Sequence, residues 1–374
     1  MSQQFEYGSA RIRDLAVRTA VDRRGKTEVC EVFLDGRLLR PTSRFWNSLH
    51  LRFGFTGNVF RYFSHKEVFE RISHVAPNDS FRWCVEKNPK GDRLLAVAGP
   101  GGSLIPYDEL VGLLNRHGAE ELKYSDGYVR SKHAPSVGGT FQVGGDSFQN
   151  KFIINTPIDG FGRPAVYLSM LRLICSNGAV AFSPAFRSEL NSGRGGDGTL
   201  FALLRVLEGF NNEDGYAALR QRFESATTSW ASVGEVNRLY KVLARLHGHG
   251  EVKGPRQPVG GDGASEVPVG SGLFAAFHRM TGDLSHVYGL ANLDALSAKR
   301  QRTLPARCKI YDLLNFASEV ATHHATPAGE RGLQGFVGDL VSGEYDLEGT
   351  VEHFDDWQDF FVSAEAACEP RRRR

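Results

Sequence analysis

The chain has 374 residues, 41% of them hydrophobic and 24% charged, which is ordinary for a folded globular protein and excludes general disorder. The formal net charge of +2 hides a split: between Asp339 and Glu369 there are ten acidic residues and no lysine or arginine, and Arg371–Arg374 then close the sequence. Without that end the body stands near +8, a balance that suits contact with polyanions but fits an ordinary soluble protein better.

Five cysteines, Cys30, Cys84, Cys175, Cys308 and Cys368, are widely spaced with no CxxC pair, which argues against a disulfide framework or zinc ribbon and for a reducing compartment. No basic-then-apolar leader opens the sequence, and no apolar run approaches the ~20 residues of a membrane span. Neither secretion nor membrane insertion is expected, and a cytoplasmic location is.

In chain order, Thr27–Leu34 reads as a strand ended by Asp35-Gly36, a dipeptide suited to the positive φ values of a tight hairpin turn. Thr42 or Ser43 caps a helix running to about Phe53, with Phe45, Trp46 and Leu49 on one face, and a second helix starts near Ser64. Phe81–Val85 and Leu94–Ala98 are strands, and Pro106 opens a helix closed by Gly118. Tyr124–Val129, with Asp126-Gly127 as a turn, Gly139–Val143 and Phe152–Asn155 follow as strand candidates. The dense run Ala165–Phe182 reads either as a helix capped at Asn177-Gly178 or as a hairpin turning there, and the hairpin is preferred.

After Gly198 the pattern turns helical: Thr199–Phe210, Gly215–Trp230 and Val233–Leu246, then a Gly/Pro-rich segment over 248–272, then Leu273–Thr281, Leu304–His324 and Gly332–Val341. Phe354–Ala367 reads as a last amphipathic helix. The expected class is α+β: an N-terminal mixed, mainly antiparallel sheet with short helices, then a helical C-terminal part. The expected organisation is a core over 1–247, a linker over 248–272, a helical unit over 273–341 and an acidic tail over 342–374.

No HExxH, GxSxG or Walker A pattern occurs. Glycine clusters at 98–102, 144–146 and 193–197 admit a phosphate loop or a plain turn; the third, with Arg194 and a helix after it, fits a phosphate best. Cys175 reads as a buried thiol, or as a nucleophile if His133 or His74 lay beside it. His247 with His249, and His323 with His324, lack the spacing that sets two imidazoles on one helix face. Asp355, Asp356 and Asp359 read as a solvated acidic face. No catalytic residue, metal or cofactor is assigned.

The stretch Arg44–Lys66 interleaves Arg44, Arg52, Arg61 and Lys66 with Phe45, Trp46, Phe53, Phe55, Phe60, Tyr62 and Phe63. Such mixtures hold single-stranded nucleic acid, since cations follow phosphates and rings stack on bases. The same rings also suit the core of two short helices, and that is the preferred reading.

The run LRLICSNGAV, Leu171–Val180, carries Arg172, Cys175, Asn177 and Gly178. With LIPYDEL, Leu104–Leu110, it resembles the Arg-x-x-Cys-x-Asn-Gly signature of the phage/plasmid-like protein family, a domain of unknown function. The likeness covers about residues 25–245 and leaves the Gly/Pro-rich segment and the C-terminal helices unmatched. It implies mobile-element context and no reaction. Physically, Asn177-Gly178 supplies a turn, Cys175 packs beneath it, and Arg172 pairs with a carboxylate such as Asp159.

The leading expectation is therefore a nucleic-acid-associated protein that binds single-stranded or remodelled DNA in replication or recombination. Its contacts would be Arg44, Trp46, Arg52, Arg61 and Tyr62, with Arg194 as a second site and the acidic tail as a competitor for the groove. Two alternatives stand beside it. One is an enzyme for a phosphorylated or nucleotide substrate, built between Gly193–Gly198 and Arg172–Gly178. The other is a structural or interaction protein working as a homo-oligomer.

Overall fold

The computed structural model describes residues 4–21, 27–55, 59, 62–101, 104–136, 139–172, 178–180, 187–190, 198–252, 269–288 and 293–342. The fold is α+β. Contacts divide the chain into two compact units that are discontinuous in sequence: residues 1–133, 154–166 and 189–210 form unit 1, and 134–153, 167–188 and 211–374 form unit 2. This division runs through the expected 1–247 core and does not fall at the Gly/Pro-rich segment.

Unit 1 opens with β1 (Phe5–Arg11), a single 3-10 turn (Ile12–Asp14), β2 (Leu15–Val21), β3 (Thr27–Leu34) and β4 (Arg37–Pro41). Helices α1 (Ser43–Arg52) and α2 (His65–Val75) follow, then β5 (Ser80–Glu86), β6 (Arg93–Ala98), α3 (Tyr107–Arg116), β7 (Glu121–Ser125) and β8 (Tyr128–His133). Six strands form one sheet in the order β1-β5-β6-β4-β3-β2. Its pairs are antiparallel except β4 with β6, which run parallel with Arg40 opposite Arg93. That parallel pair requires a crossover, and α1 and α2 lie within it. The Asp35-Gly36 turn has φ of 48° and 77°, as its residue types demand.

Two hydroxyls tie α1 to the sheet. Thr42 Oγ1 accepts from Phe45 N at 3.1 Å, capping the helix, and donates to Leu95 O at 2.7 Å. Ser48 Oγ accepts from Val97 N at 2.9 Å. Phe45, Leu49, Val68, Phe69, Ile72, Phe81, Leu94 and Val97 then share one buried core.

In the rest of the chain, β9 (Thr140–Val143) and β10 (Asp146–Pro157) form a hairpin turning at Gly144-Gly145, both with positive φ, so that glycine pair is a strand turn. β11 (Ala165–Arg172) pairs antiparallel with β12 (Gly178–Val180), Leu171 opposite Gly178, and β13 (Arg187–Glu189) also pairs with β11. The preferred hairpin reading of Ala165–Phe182 therefore holds; its turn, with Cys175 and Asn177, lies outside the described residues. α4 (Gly198–Gly209) belongs to unit 1.

Unit 2 continues with α5 (Glu213–Thr228), β14 (Trp230–Ser232), α6 (Val233–Gly248), α7 (Val269–Thr281), α8 (Leu284–Val287), α9 (Ala298–Thr303), β15 (Pro305–Lys309), α10 (Ile310–Glu319) and α11 (Pro327–Ser342). The helix expected over Leu304–His324 is corrected here. Pro305–Lys309 is a strand paired with β14, Trp230 opposite Lys309, and α10 begins only at Ile310, where Lys309 N donates to Asp312 Oδ2 at 2.8 Å. Ala306 and Cys308 are buried on either side of exposed Arg307, a short alternation whose partner strand lies far upstream. The segment 253–268 and the acidic segment 343–374, Phe354–Ala367 included, lie outside the described residues.

Candidate nucleic-acid interface

The aromatic-basic stretch divides into an inner and an outer set. α1 turns Phe45, Trp46 and Leu49 onto the sheet, so Trp46 is only 7% exposed and its face is not open to a base. Its ring stacks instead on His50 and His65, at centroid distances of 5.6 and 5.0 Å, and the two imidazoles lie 5.2 Å apart and nearly parallel. Burial, with His65 adding to it, pushes His50 down to about 4, and burial lowers His65 as well. Sequence reasoning did not single out these imidazoles, because only the α1–α2 packing brings them together.

Arg44 faces inward too. Its Nε and Nη2 donate to the two oxygens of Asp159, the second at 2.8 Å, and Nη2 also donates to Phe161 O. The guanidinium lies 4.0 Å from the centroid of the Tyr128 ring. Asp159 is fully buried and accepts a further bond from Phe161 N at 3.0 Å. Burial pushes its carboxyl above the ordinary range, against the pull of Arg44. The partner expected for Asp159 was Arg172; the structure gives it Arg44, and the Arg172 side chain lies outside the described residues. Gly127, at φ 83° in the turn between β7 and β8, has no room for a side chain, since a Cβ there would sit 2.5 Å from Asp159 Oδ2.

Arg52 is held at the rim of the same core, with Nη2 donating to Asp79 Oδ2 at 2.9 Å and to Ser80 O at 2.8 Å. Arg61 and Arg194 lie outside the described residues, as does the 193–197 loop, so the enzyme site expected between that loop and the Arg172–Gly178 turn has no described geometry.

The outer set sits at the entry to α2. Ser64 caps the helix reciprocally with Glu67 and anchors the two residues before it. Those residues are Tyr62, 81% exposed, and Phe63, 42% exposed, and the Arg71 guanidinium lies 5.5 Å from the Phe63 ring centroid. Two outward rings with a cation against one of them can stack on bases and meet a phosphate. Among the described residues expected at the interface, Tyr62 is the one left open. Phe63 stood in the same stretch, but Arg71 lay beyond it and is placed by the turn of α2.

The nucleophile reading finds no thiolate among the described residues. Cys84 and Cys308 are buried, and burial pushes both thiols up. His133 is buried, with Nε2 2.8 Å from Ser131 Oγ and Nδ1 3.3 Å from His117 O. Among the described residues no group of three or more His, Cys, Asp or Glu could hold a metal ion, and no helix is long and apolar enough to cross a membrane. In comparisons with known proteins, no family model, no curated protein and no solved structure matches the chain.

Proposed function

We propose that this is a nucleic-acid-associated protein of mobile-element type, acting in the cytoplasm, that binds single-stranded or remodelled DNA during replication or recombination. The observation that carries the reading is the outward pair Tyr62 and Phe63 with Arg71 against the Phe63 ring. The body charge near +8 and the resemblance of LRLICSNGAV to the phage/plasmid-like family support it.

The test is fluorescence anisotropy of labelled single strands across a salt series. Tyr62→Ala and Phe63→Ala are each expected to weaken binding by about 1–3 kcal/mol, and Arg71→Ala to lower the salt slope by about 0.7. Binding at low salt that is indifferent to all three changes, or no binding at all, ends the reading.

A second reading, self-association, rests on α4. The helix carries Leu200, Phe201, Leu203, Leu204, Val206 and Leu207 among Arg205 and Glu208; only Thr199 and Leu203 are buried, and Phe201 is 64% exposed. Light scattering is expected to show an assembly that Phe201→Glu dissociates; a monomeric wild type removes this reading.

A further inference from the structure

We infer that the acidic segment following α11, residues 343–369, docks within its own chain on the outer face of α9, a basic surface of unit 2. This docking is independent of the single-strand surface of unit 1, and it seats the acidic segment in unit 2 instead of in the groove expected from the sequence.

Between Ala295 and Tyr311 the chain carries five cations and no carboxylate. Three of them, Lys299, Arg300 and Arg302, stand on α9 and are exposed. The inner side of the helix is fixed by Gln301, whose Oε1 accepts from Asn237 Nδ2 on α6 at 3.3 Å and whose Nε2 donates to Leu296 O at 3.0 Å. At about 100° of turn per residue, Lys299 then points away from α6, with Arg300 and Arg302 on its flanks. Lys309, farther along, is engaged elsewhere: its Nζ lies 3.7 Å from the centroid of the Trp230 ring and donates to Thr228 O at 2.7 Å. Like charges gathered on one short helix repel one another, and a run of carboxylates laid across them relieves that repulsion.

The fold delivers the acidic segment to that face. α11 runs antiparallel to α6: near its start a Cβ on Gly332 would lie 3.6 Å from the Leu246 side chain, and near its end Asp339 accepts from Arg238. The N-terminal half of α6, where α11 ends, is also where α9 packs: Asn237 donates to Gln301, and a Cβ on Gly234 would lie 3.2 Å from Gln301 O. Asn237 and Arg238 are neighbours in sequence, so α9 and the end of α11 lie on adjacent sides of one helix, roughly 10–15 Å apart. The ten residues after Ser342 carry Glu344, Asp346, Glu348 and Glu352, and their extended length is up to about 33–36 Å, ample for that gap. Between 343 and 370 there are nine acidic residues and no lysine or arginine, so the charge of the reachable chain is of one sign and opposite to that of α9.

The test is zero-length carbodiimide cross-linking of the full chain, mapped by mass spectrometry. Mixing isotope-labelled with unlabelled protein separates links within one chain from links between chains. Lys241 with Asp294, an ion pair of the structure, is the positive control. Lys299 is expected to link within the chain to carboxylates between Glu344 and Asp359. Those links are expected to vanish at about 1 M salt, where the Debye length falls to about 3 Å. Arg300→Gln with Arg302→Gln, both at exposed positions, should lower the yield at Lys299 roughly fivefold, the effect of losing two exposed ion pairs. Circular dichroism checks that the double variant remains folded. The proposal is overturned if Lys299 makes no link to the segment while the control forms, or if the double variant leaves the yield unchanged. Links found only between chains would give the surface to a second copy and overturn it too. A double variant that loses single-strand binding, with no link at Lys299 in the wild type, would give the surface to nucleic acid instead. Each of these results leaves the Tyr62 and Phe63 experiment standing, so the two readings fail separately.

Discussion

Asp159→Ala is expected to destabilise unit 1 by about 3–5 kcal/mol, measured as the shift in a urea unfolding curve followed by tryptophan fluorescence. The carboxylate is fully buried and accepts from Arg44 through two nitrogens and from Phe161 N. Removing it leaves the Arg44 guanidinium in a largely dry site, against the Phe161 carbonyl and the rings of Tyr128 and Phe161. Most of the expected loss is that stranded charge and not the worth of the pair itself, because two ions taken from water together regain little net free energy. The double change Arg44→Met with Asp159→Leu should therefore lie closer to wild type than Asp159→Ala alone, a non-additivity that only groups in direct contact produce. A loss below about 1 kcal/mol for Asp159→Ala would mean that Arg44 can swing out to water. In that event Arg44 returns as a phosphate contact; otherwise its removal should affect DNA binding only through the folded fraction.

The second large effect is a dependence on pH. In the unfolded chain His50 takes up a proton near pH 6.5, whereas in unit 1 it does so only at about 4. Between those values the unfolded state binds more protons, so stability present above about pH 6.5 is lost as the pH falls toward about 4. The full difference corresponds to about 3 kcal/mol. Trp46 on its own helix and His65 at the start of α2 stack on the imidazole, and neither offers a negative charge to offset protonation. Carboxylates titrate in the lower part of the same window, so the informative quantity is the difference between wild type and His50→Gln, measured by urea unfolding at several pH values. That difference should shrink by about 3 kcal/mol on acidification. A difference that stays constant with pH would show that His50 protonates in the folded unit without penalty.

Much of the local structure was legible in the residues. Asp35-Gly36 turned as its types require, Thr42 and Ser64 capped the two short helices, and the strand β11 pairs antiparallel with β12 as a hairpin requires. Each of these is a local matter, settled by the conformational preferences of a few adjacent residues. The interface was legible in part. Composition marked the stretch from Arg44 to Lys66 as aromatic and basic, but the helical period alone does not say which side meets a sheet, so inner Trp46 and outer Tyr62 looked alike.

What the sequence by itself determined was the α+β class, most element positions and the separation of a basic body from an acidic end. Tertiary structure alone decided three matters. It made Pro305–Lys309 a strand, because a ladder partner at Trp230–Ser232 can override a helical reading of a short segment. It gave Asp159 to Arg44, residues far apart in sequence, because a carboxylate without solvent must find the cation that packing brings to it. And it sorted the rings of one aromatic-basic stretch into core and surface, because burial is a property of what an element packs against and not of the element itself.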